Sequence, residues 1–360
     1  MKTILQILIA ASLLIISACG NNARTKQELE KNSTTDSSLS ENAGHKIDYN
    51  NTQVLETVYV IDREGVEMKQ DADENSKIMG TYNYGDKLDV IEETEKWLGI
   101  RDRITRKFVK NGDEIVSTGW EMIYVLKNKT GSINEIRLIP SDLNIISSLS
   151  VAGQESKYFE KGQQLNKYLK IELVDEQLFK SRKDSAVNFL LADTAIIEKK
   201  NGTIELQCQV KVVRYVDNPA DNDGTREFQY IGQIEFLNKY LIYGLYWESS
   251  NYIFVDKISG EETSFGEFPY ISPNKQNIIS IYANPYETTA DLELYSISEN
   301  NSIKQIMNVS FINWMPTVEK GEMFWSTDGY LYLTVNHTKL FGEQSGSLNN
   351  KCQYIRIKIL

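Results

Sequence analysis

Short stretches of alternating apolar and polar residues run along most of this chain, and this period of two predicts strands. The runs end at turn pairs such as Asn201-Gly202, Ser259-Gly260 and Asp328-Gly329. No long amphipathic helix is present in the pattern. In the C-terminal half we predict strands near 194–199, 203–216, 227–237, 240–247, 251–257, 278–283, 291–297, 303–309, 322–326, 329–335 and 352–359.

The region 165–189 is ambiguous. Residues 168–173 fit a strand, whereas 184–191 fit a short helix capped by Asp184. The chain contains 20 Tyr, 12 Phe and 5 Trp against only 6 Pro. Since aromatic and β-branched residues favour strands, the composition supports a mainly β fold.

The first residues carry a different pattern. After Lys2, an apolar run of about a dozen residues extends over 4–16, which suits a secretory signal and is too short to span a membrane. The motif Ile16-Ser17-Ala18-Cys19 that follows resembles the bacterial lipobox. The resemblance implies cleavage before Cys19, its acylation and a lipid anchor in the membrane. Gly20 stands where inner-membrane lipoproteins usually carry Asp, so it also implies the outer membrane.

Polar residues dominate 21–52, which predicts a flexible spacer because so little of it can be buried. Roughly 30 such residues reach about 30 Å. We therefore divide the chain into a signal peptide (1–18), a disordered linker (19–53), a small β domain (54–130) and a larger β domain (131–360).

The charge of the chain limits which partners it can bind, and its cysteine content limits which disulfides it can form. Removing residues 1–18 changes the net charge from −11 to −12, which disfavours nucleic acid as a partner. Apart from Cys19, the chain has Cys208 and Cys352, each in a predicted strand. In an oxidising envelope these two could form a disulfide, and lone buried thiols are the favoured alternative.

The segment 54–130 resembles the bacterial SH3-type domain. The resemblance rests on Gly65-Val66-Glu67-Met68-Lys69, Ser76-Lys77-Ile78-Met79-Gly80, Gly85-Asp86, the strand at Trp97 and Gly119-Trp120. It implies a small barrel with a groove that binds peptides or cell-wall components. Carried over, the groove candidates are Tyr82, Tyr84, Trp97 and Trp120, of which Trp97 is more readily read as a core residue. The chain departs from the family at 101–118, where a longer, basic hairpin replaces a short one.

Two stretches of the C-terminal part, 252–275 and 324–333, resemble WD40-like repeats of the TolB type. The resemblance implies a partial or complete β-propeller, with a β-sandwich as the alternative fold. It is loose, since Asn274, Lys275 and Thr327 replace the usual Asp, Gly and Pro of the turn. A repeat of about 45 residues would fit roughly five times into this region.

Chemistry-bearing clusters are absent from the sequence. The chain has two His and no paired metal-ligand motif, so we predict no metal, no cofactor and no catalytic residue. The sequence thus predicts a non-enzymatic lipoprotein of the cell envelope that binds a peptide, peptidoglycan or an envelope protein. The alternatives are a hydrolase acting on glycans through two carboxylates, and a structural subunit of an outer-membrane assembly.

Overall fold

Antiparallel strands make up most of the computed structural model, which describes residues 44–110, 113–317, 322–340 and 352–360. The predicted fold class, mainly β, is confirmed. The signal segment and the anchor candidate Cys19 lie outside the described residues.

One antiparallel sheet contains the strands of the N-terminal part. Its hydrogen-bonded order is β4-β3-β7-β6-β5-β2-β8, with β1 paired to the outer edge of β7. Among the described residues no pairing joins β4 to β8, so the sheet does not close into a barrel. Its strands are β1 (His45–Lys46), β2 (Glu56–Val60), β3 (Val66–Lys69), β4 (Ile78–Tyr82), β5 (Lys87–Glu93), β6 (Trp97–Lys110), β7 (Asp113–Leu126) and β8 (Thr130–Gly131).

The remaining strands form four further antiparallel sheets. They are β9 (Ile145–Val151), β10 (Lys157–Gln164), β11 (Leu169–Val174), β12 (Ala186–Val187), β13 (Thr203–Gln207), β14 (Val212–Val216), β15 (Arg226–Ile234), β16 (Lys239–Tyr246), β17 (Ser250–Asp256), β18 (Glu262–Phe265), β19 (Tyr270–Ile271), β20 (Asn277–Asn284), β21 (Thr289–Ile297), β22 (Ile303–Phe311), β23 (Trp314–Pro316), β24 (Met323–Ser326), β25 (Leu331–His337) and β26 (Gln353–Ile359). The helix α1 (Glu176–Lys183) lies between β11 and β12.

Three successive four-stranded units organise this part. The first is β15-β16-β17-β18, and the second is β19-β20-β21-β22, which β9 and β10 extend. The third is β24-β25-β26 completed by β11, with β12 and β23 at its margins. A separate hairpin, β13-β14, precedes them. The described residues therefore hold three such units, fewer than the roughly five repeats that the length of the region suggested.

Three local predictions are wrong. The single strand predicted at 203–216 is the antiparallel hairpin of β13 and β14. Residues 194–199 form a turn rather than a strand, and Ile196 is exposed there. The helix lies eight residues before its predicted position, because Asp175 rather than Asp184 caps it: the Asp175 carboxylate accepts the Leu178 N–H at 2.6 Å. The strand predicted at 168–173 is confirmed as β11.

The first sheet packs against the rest of the chain at a junction around His337. The ring of Tyr84 lies edge-on to His337, and the Arg63 guanidinium lies 3.8 Å from the Tyr84 ring centroid. Ion pairs join Arg63 to Asp142 at 2.9 Å and Lys339 to Asp86 at 2.9 Å. Gly44–Leu360 accordingly form one compact unit.

Because His337 is 6 % exposed, burial lowers its pKa from 6.5 to about 4. Asp142 opposes this shift, and Arg63 and Lys339 contribute to it, so that about 4 is the net pKa. Its Nδ1 accepts the Lys339 N–H at 3.1 Å, so the folded state holds the neutral ring. The unfolded chain therefore binds more protons than the folded chain between these two pH values.

We expect the free energy of unfolding to be unaffected by His337 above pH 6.5 and to fall by about 3 kcal/mol as the pH drops from 6.5 to 4. His337→Asn keeps a neutral acceptor near the Lys339 N–H and should lack this component. Urea unfolding of both proteins at a series of pH values measures the difference. Parallel stability curves for the two proteins would show that His337 does not titrate in this way.

Candidate functional site

The four aromatic residues predicted to line a groove occupy different environments. Trp97 is 6 % exposed and belongs to the interior. The Tyr82 hydroxyl donates to Asp102 at 2.5 Å, and burial together with Asp102 raises the pKa of Tyr82. Tyr84 lies at the junction, where its hydroxyl accepts the Arg137 N–H at 2.8 Å. Of the four, only Trp120 has an exposed side chain, at 37 %.

Trp120 lies on the long hairpin β6-β7 and has Arg103 directly opposite it in the ladder. Directly paired residues of an antiparallel ladder place their side chains on the same face of the sheet. Arg101, two residues before Arg103 on β6, therefore points to that face as well. Arg101 pairs with Asp89 at 2.8 Å, whereas Arg103 is exposed and forms no ion pair in the described part of the chain.

Tyr49 completes this surface. Its ring stacks on Trp120 with centroids 4.3 Å apart, and the Arg101 guanidinium lies 4.4 Å from the Tyr49 centroid. We call these four residues, Tyr49, Arg101, Arg103 and Trp120, the Trp120 surface. It combines two half-exposed aromatic rings with one unpaired guanidinium, a set that suits a ligand with flat or apolar groups and a carboxylate.

The segment that carries Tyr49 was predicted to belong to the disordered linker, and from residue 44 onward this is wrong. β1 pairs with β7 through His45 opposite Met122 and Lys46 opposite Glu121. The Ile47 N–H donates to the Trp120 carbonyl oxygen at 3.0 Å. The structure therefore holds an extended piece of chain against the outer edge of β7, beside Trp120.

A charged pair on the opposite face fixes this arrangement. Arg106 donates through Nε and Nη2 to both carboxylate oxygens of Glu121, at 2.6–3.0 Å, and through Nη1 to Gln70 at 3.1 Å. Glu121 is only 3 % exposed, and hydrogen bonding to it raises the pKa of Arg106. Gly44 passes so close that a Cβ there would overlap the Glu121 carboxylate.

Beyond Trp120 the outer edge of β7 is open. The chain turns away from it after Ile47, since the Asn51 N–H donates to the Asp48 carbonyl oxygen. Within the described ranges no strand pairs with this edge over residues 113–119. A Cβ built on Gly119 would meet no atom within 4 Å. Unpaired N–H and C=O groups on such an edge can bind another extended chain.

Carboxyl groups gather at a second location, around the segment 266–268. Glu267 accepts the Phe268 N–H at 2.9 Å and Glu293 accepts the Gly266 N–H at 3.0 Å. Burial raises the pKa of both carboxyl groups. Glu267 lines a cavity of about 180 Å³ together with Tyr270 and Tyr282.

Cys208 and Cys352 are free thiols in the structure, so the disulfide considered from the sequence is not formed. Cys208 packs on the cluster around β13 and β14, and Cys352 directly precedes β26 in another sheet. Burial raises the pKa of the Cys208 thiol, which makes it a weaker nucleophile at neutral pH.

The described residues lack two further features. They contain no group of three or more His, Cys, Asp and Glu side chains arranged to hold a metal ion. They also contain no helix that is both long and apolar enough to span a bilayer.

One feature of the sequence indicates the contact made by Tyr49. Tyr49 is the single Tyr, Phe or Trp in 19–53, and an isolated aromatic in a polar spacer indicates a contact with a folded domain. Arg106 and Glu121 lie on neighbouring strands of the hairpin, but the pairing register that brings them together is not visible from composition.

We expect Tyr49→Ala to loosen the attachment of residues 45–47 by about 1 kcal/mol, since the stacked ring on Trp120 is lost. The exchange rate of the Ile47 amide should rise about fivefold, which amide hydrogen exchange measured by NMR will show. Tyr49→Phe retains the stacked ring and should leave the rate unchanged. An unaltered rate in Tyr49→Ala would mean that the backbone pairing alone holds the segment.

Comparison with known proteins gives no further guide to the site. No family model matches the chain, and no curated protein or solved structure matches it significantly. The candidate sites therefore rest on the geometry of the chain's own residues.

Proposed function

We propose that this chain is a lipid-anchored protein of the bacterial cell envelope that binds extended peptides, including the peptides of the cell wall, at the Trp120 surface. The observation that carries the proposal is the placement of residues 45–49. Residues 45–47 lie extended on the edge of β7, and the turn that follows puts the Tyr49 ring on Trp120.

Each part of this arrangement has a counterpart in peptide recognition. An edge strand supplies main-chain hydrogen bonds that any extended peptide can use. A tryptophan face buries a large area at a small cost in side-chain entropy. A guanidinium adds a charge-assisted bond to a carboxylate, and peptides of the cell wall carry free carboxylates.

The charge distribution supports an acidic ligand at this place. The mature chain has a net charge of −12, so most of its surface repels carboxylates. Arg103 stands beside Trp120 without an ion pair among the described residues. We place the ligand carboxylate at Arg103 and the ligand backbone along residues 117–119 of β7.

The lipobox resemblance completes the proposal. Acylation of Cys19 would hold the protein on a membrane, with the outer membrane proposed from Gly20. A spacer of roughly 30 residues with a reach of about 30 Å would let the folded part approach the wall. Recognition is then the task of the folded part, and location is the task of the anchor.

We expect the purified mature chain to sediment with isolated peptidoglycan. Trp120→Ala and Arg103→Ala should each weaken this binding by about tenfold, because one removes the aromatic face and the other the cation. Trp247→Ala is the matched control, since Trp247 is 50 % exposed on another sheet. Sedimentation assays over a range of protein concentrations give the affinities.

Two results would contradict the proposal. One is the absence of binding to peptidoglycan and to its isolated peptides by the wild-type protein. The other is equal binding by the wild type, Trp120→Ala and Arg103→Ala. Loss of binding in the Trp247→Ala control would place the binding surface on another part of the chain.

A second candidate function is glycan hydrolysis, and the observation that favours it is Glu267. Its carboxyl group lines a cavity with Tyr270, Tyr282 and a second acid, Glu322, and burial raises its pKa, as a general acid requires. If the chain is a hydrolase, Glu267→Gln should lower the release of reducing ends from glycan strands by at least about 100-fold. Absence of any release by the wild type would remove this candidate.

A further inference from the structure

A polar cleft of about 870 Å³ lies far along the chain from the Trp120 surface, between the turn 193–201, the strand β13 and the unit β15-β16-β17-β18. Its volume falls in the range of about 300–1,000 Å³ that small-ligand sites occupy. Tyr230, Gln233, Tyr240 and Lys257 line it from the strands and from the residue after β17. Nothing in the proposed peptide binding uses these residues.

A chain of hydrogen bonds orders the polar groups of this cleft. The Tyr230 hydroxyl donates to Asp193 Oδ1 at 2.8 Å, and Gln233 Nε2 donates to the other oxygen of the same carboxylate. Lys257 Nζ then donates to Gln233 Oε1. Asp193 is thereby occupied by two neutral donors, and the positions of Gln233 and Lys257 are fixed.

The Lys257 ammonium has no carboxylate of the described residues as a hydrogen-bonding partner. Its hydrogen-bond acceptor is the neutral amide of Gln233, and its Nζ lies 4.6 Å from the ring centroid of Tyr240. In the described part of the chain it forms no ion pair. Burial lowers the pKa of Lys257, an effect that Asp193 and Glu235 oppose. An anion entering the cleft would supply the missing partner and recover part of the desolvation cost.

Groups that can bind hydroxyls surround this ammonium. The side chains of Asn201, Thr203 and Gln207 line the cleft and make no hydrogen bond to other described residues. Glu205, the acid on β13, is already paired with Arg214 at 2.7 Å. The cleft therefore offers one cation held in place by hydrogen bonding and several free amide and hydroxyl groups. Its lining also includes an exposed acid, Glu198, and an exposed base, Lys200, whose charges offset each other.

From this arrangement we infer that the cleft around Lys257 is a binding site for an acidic saccharide, with the sugar carboxylate at Lys257 and the hydroxyls at Asn201, Thr203 and Gln207. A sugar carboxylate fits the one cation that hydrogen bonding holds in place, Lys257, whereas a phosphate would need more than one cation fixed in this way. The inference does not depend on peptide binding at Trp120, since no residue is shared.

The probes are glucuronate, short glucuronate-containing oligosaccharides and glucose, added to the full mature chain. Saturation-transfer NMR and calorimetry measure the affinity. We expect the acidic saccharides to bind at least about tenfold more tightly than glucose, because glucose has no carboxylate to accept a charged hydrogen bond from Lys257. This comparison needs only the wild-type protein.

Variants locate the site. Lys257→Met and Lys257→Gln should each weaken binding of the acidic saccharide by at least about tenfold, whereas Lys257→Arg should retain most of it. The matched control is Lys275→Met, because Lys275 lies over Phe189 and Phe236 outside the cleft. Tm values compared by circular dichroism check that each variant is folded.

Three outcomes would overturn the inference. They are the absence of binding by every acidic saccharide tested, equal affinity for glucuronate and glucose, and undiminished binding by folded Lys257→Met or Lys257→Gln. Loss of peptidoglycan binding in Trp120→Ala with saccharide binding intact would separate the two sites experimentally.

Discussion

The buried pair of Arg106 and Glu121 is the interaction on which the N-terminal sheet depends most. The pair joins β6 to β7 on the inner face of the hairpin. Arg106 Nη1 also donates a hydrogen bond to Gln70, the residue that follows β3. Removing one partner of such a pair leaves the other charge buried without a counter-charge, which typically lowers the free energy of unfolding by 3–5 kcal/mol. Gly44 approaches this pair too closely for any side chain, so the pair also determines where β1 can lie. The placement of Tyr49 on Trp120 follows from that path.

In the C-terminal part, strands distant in the sequence complete the sheets. β9 pairs with β22, and β11 pairs with β26 over six successive residues. The largest apolar cluster packs these sheets together and contains the fully buried Trp314, whose indole N–H donates to the Leu143 carbonyl oxygen at 3.0 Å. Such pairings require the closure of long loops, so this part of the chain is expected to fold more slowly than its short hairpins.

The sequence was a good guide where the structure is local. Seven of the ten strands described between 239 and 337 lie close to their predicted positions, because turn pairs and alternation both mark them. The short strands β18, β19 and β23 were not predicted. The strand predicted at 194–199 is wrong, since Ile196 and Ile197 gave an apolar signal in a segment that forms a turn. The order of strands within the sheets could not be predicted, because the local sequence pattern does not show which distant strands, such as β9 and β22, pair with each other.

The candidate sites were predictable to a smaller extent. Trp120 was among the proposed groove residues and is exposed, and Trp97, for which the sequence favoured a core position, is buried. Side-chain burial depends on register, and a shift of one residue exchanges the two faces of a strand. The hydrogen-bonded network in the polar cleft joins residues up to 64 positions apart, so no local sequence motif predicts it. Its members are Asp193, Tyr230, Gln233 and Lys257.

The position of β1 has a mechanical consequence. If Cys19 carries the anchor, any tension between membrane and wall reaches the folded part first at Gly44 and then at the two residue pairs of β1. A strand this short at a sheet edge detaches before the long β6-β7 ladder does. Release of residues 44–49 would lengthen the tether by about 3.4 Å per residue and would uncover Trp120. With such an anchor, these six residues would be the first part of the fold to detach under tension, and their release would expose the face of Trp120 that Tyr49 now covers.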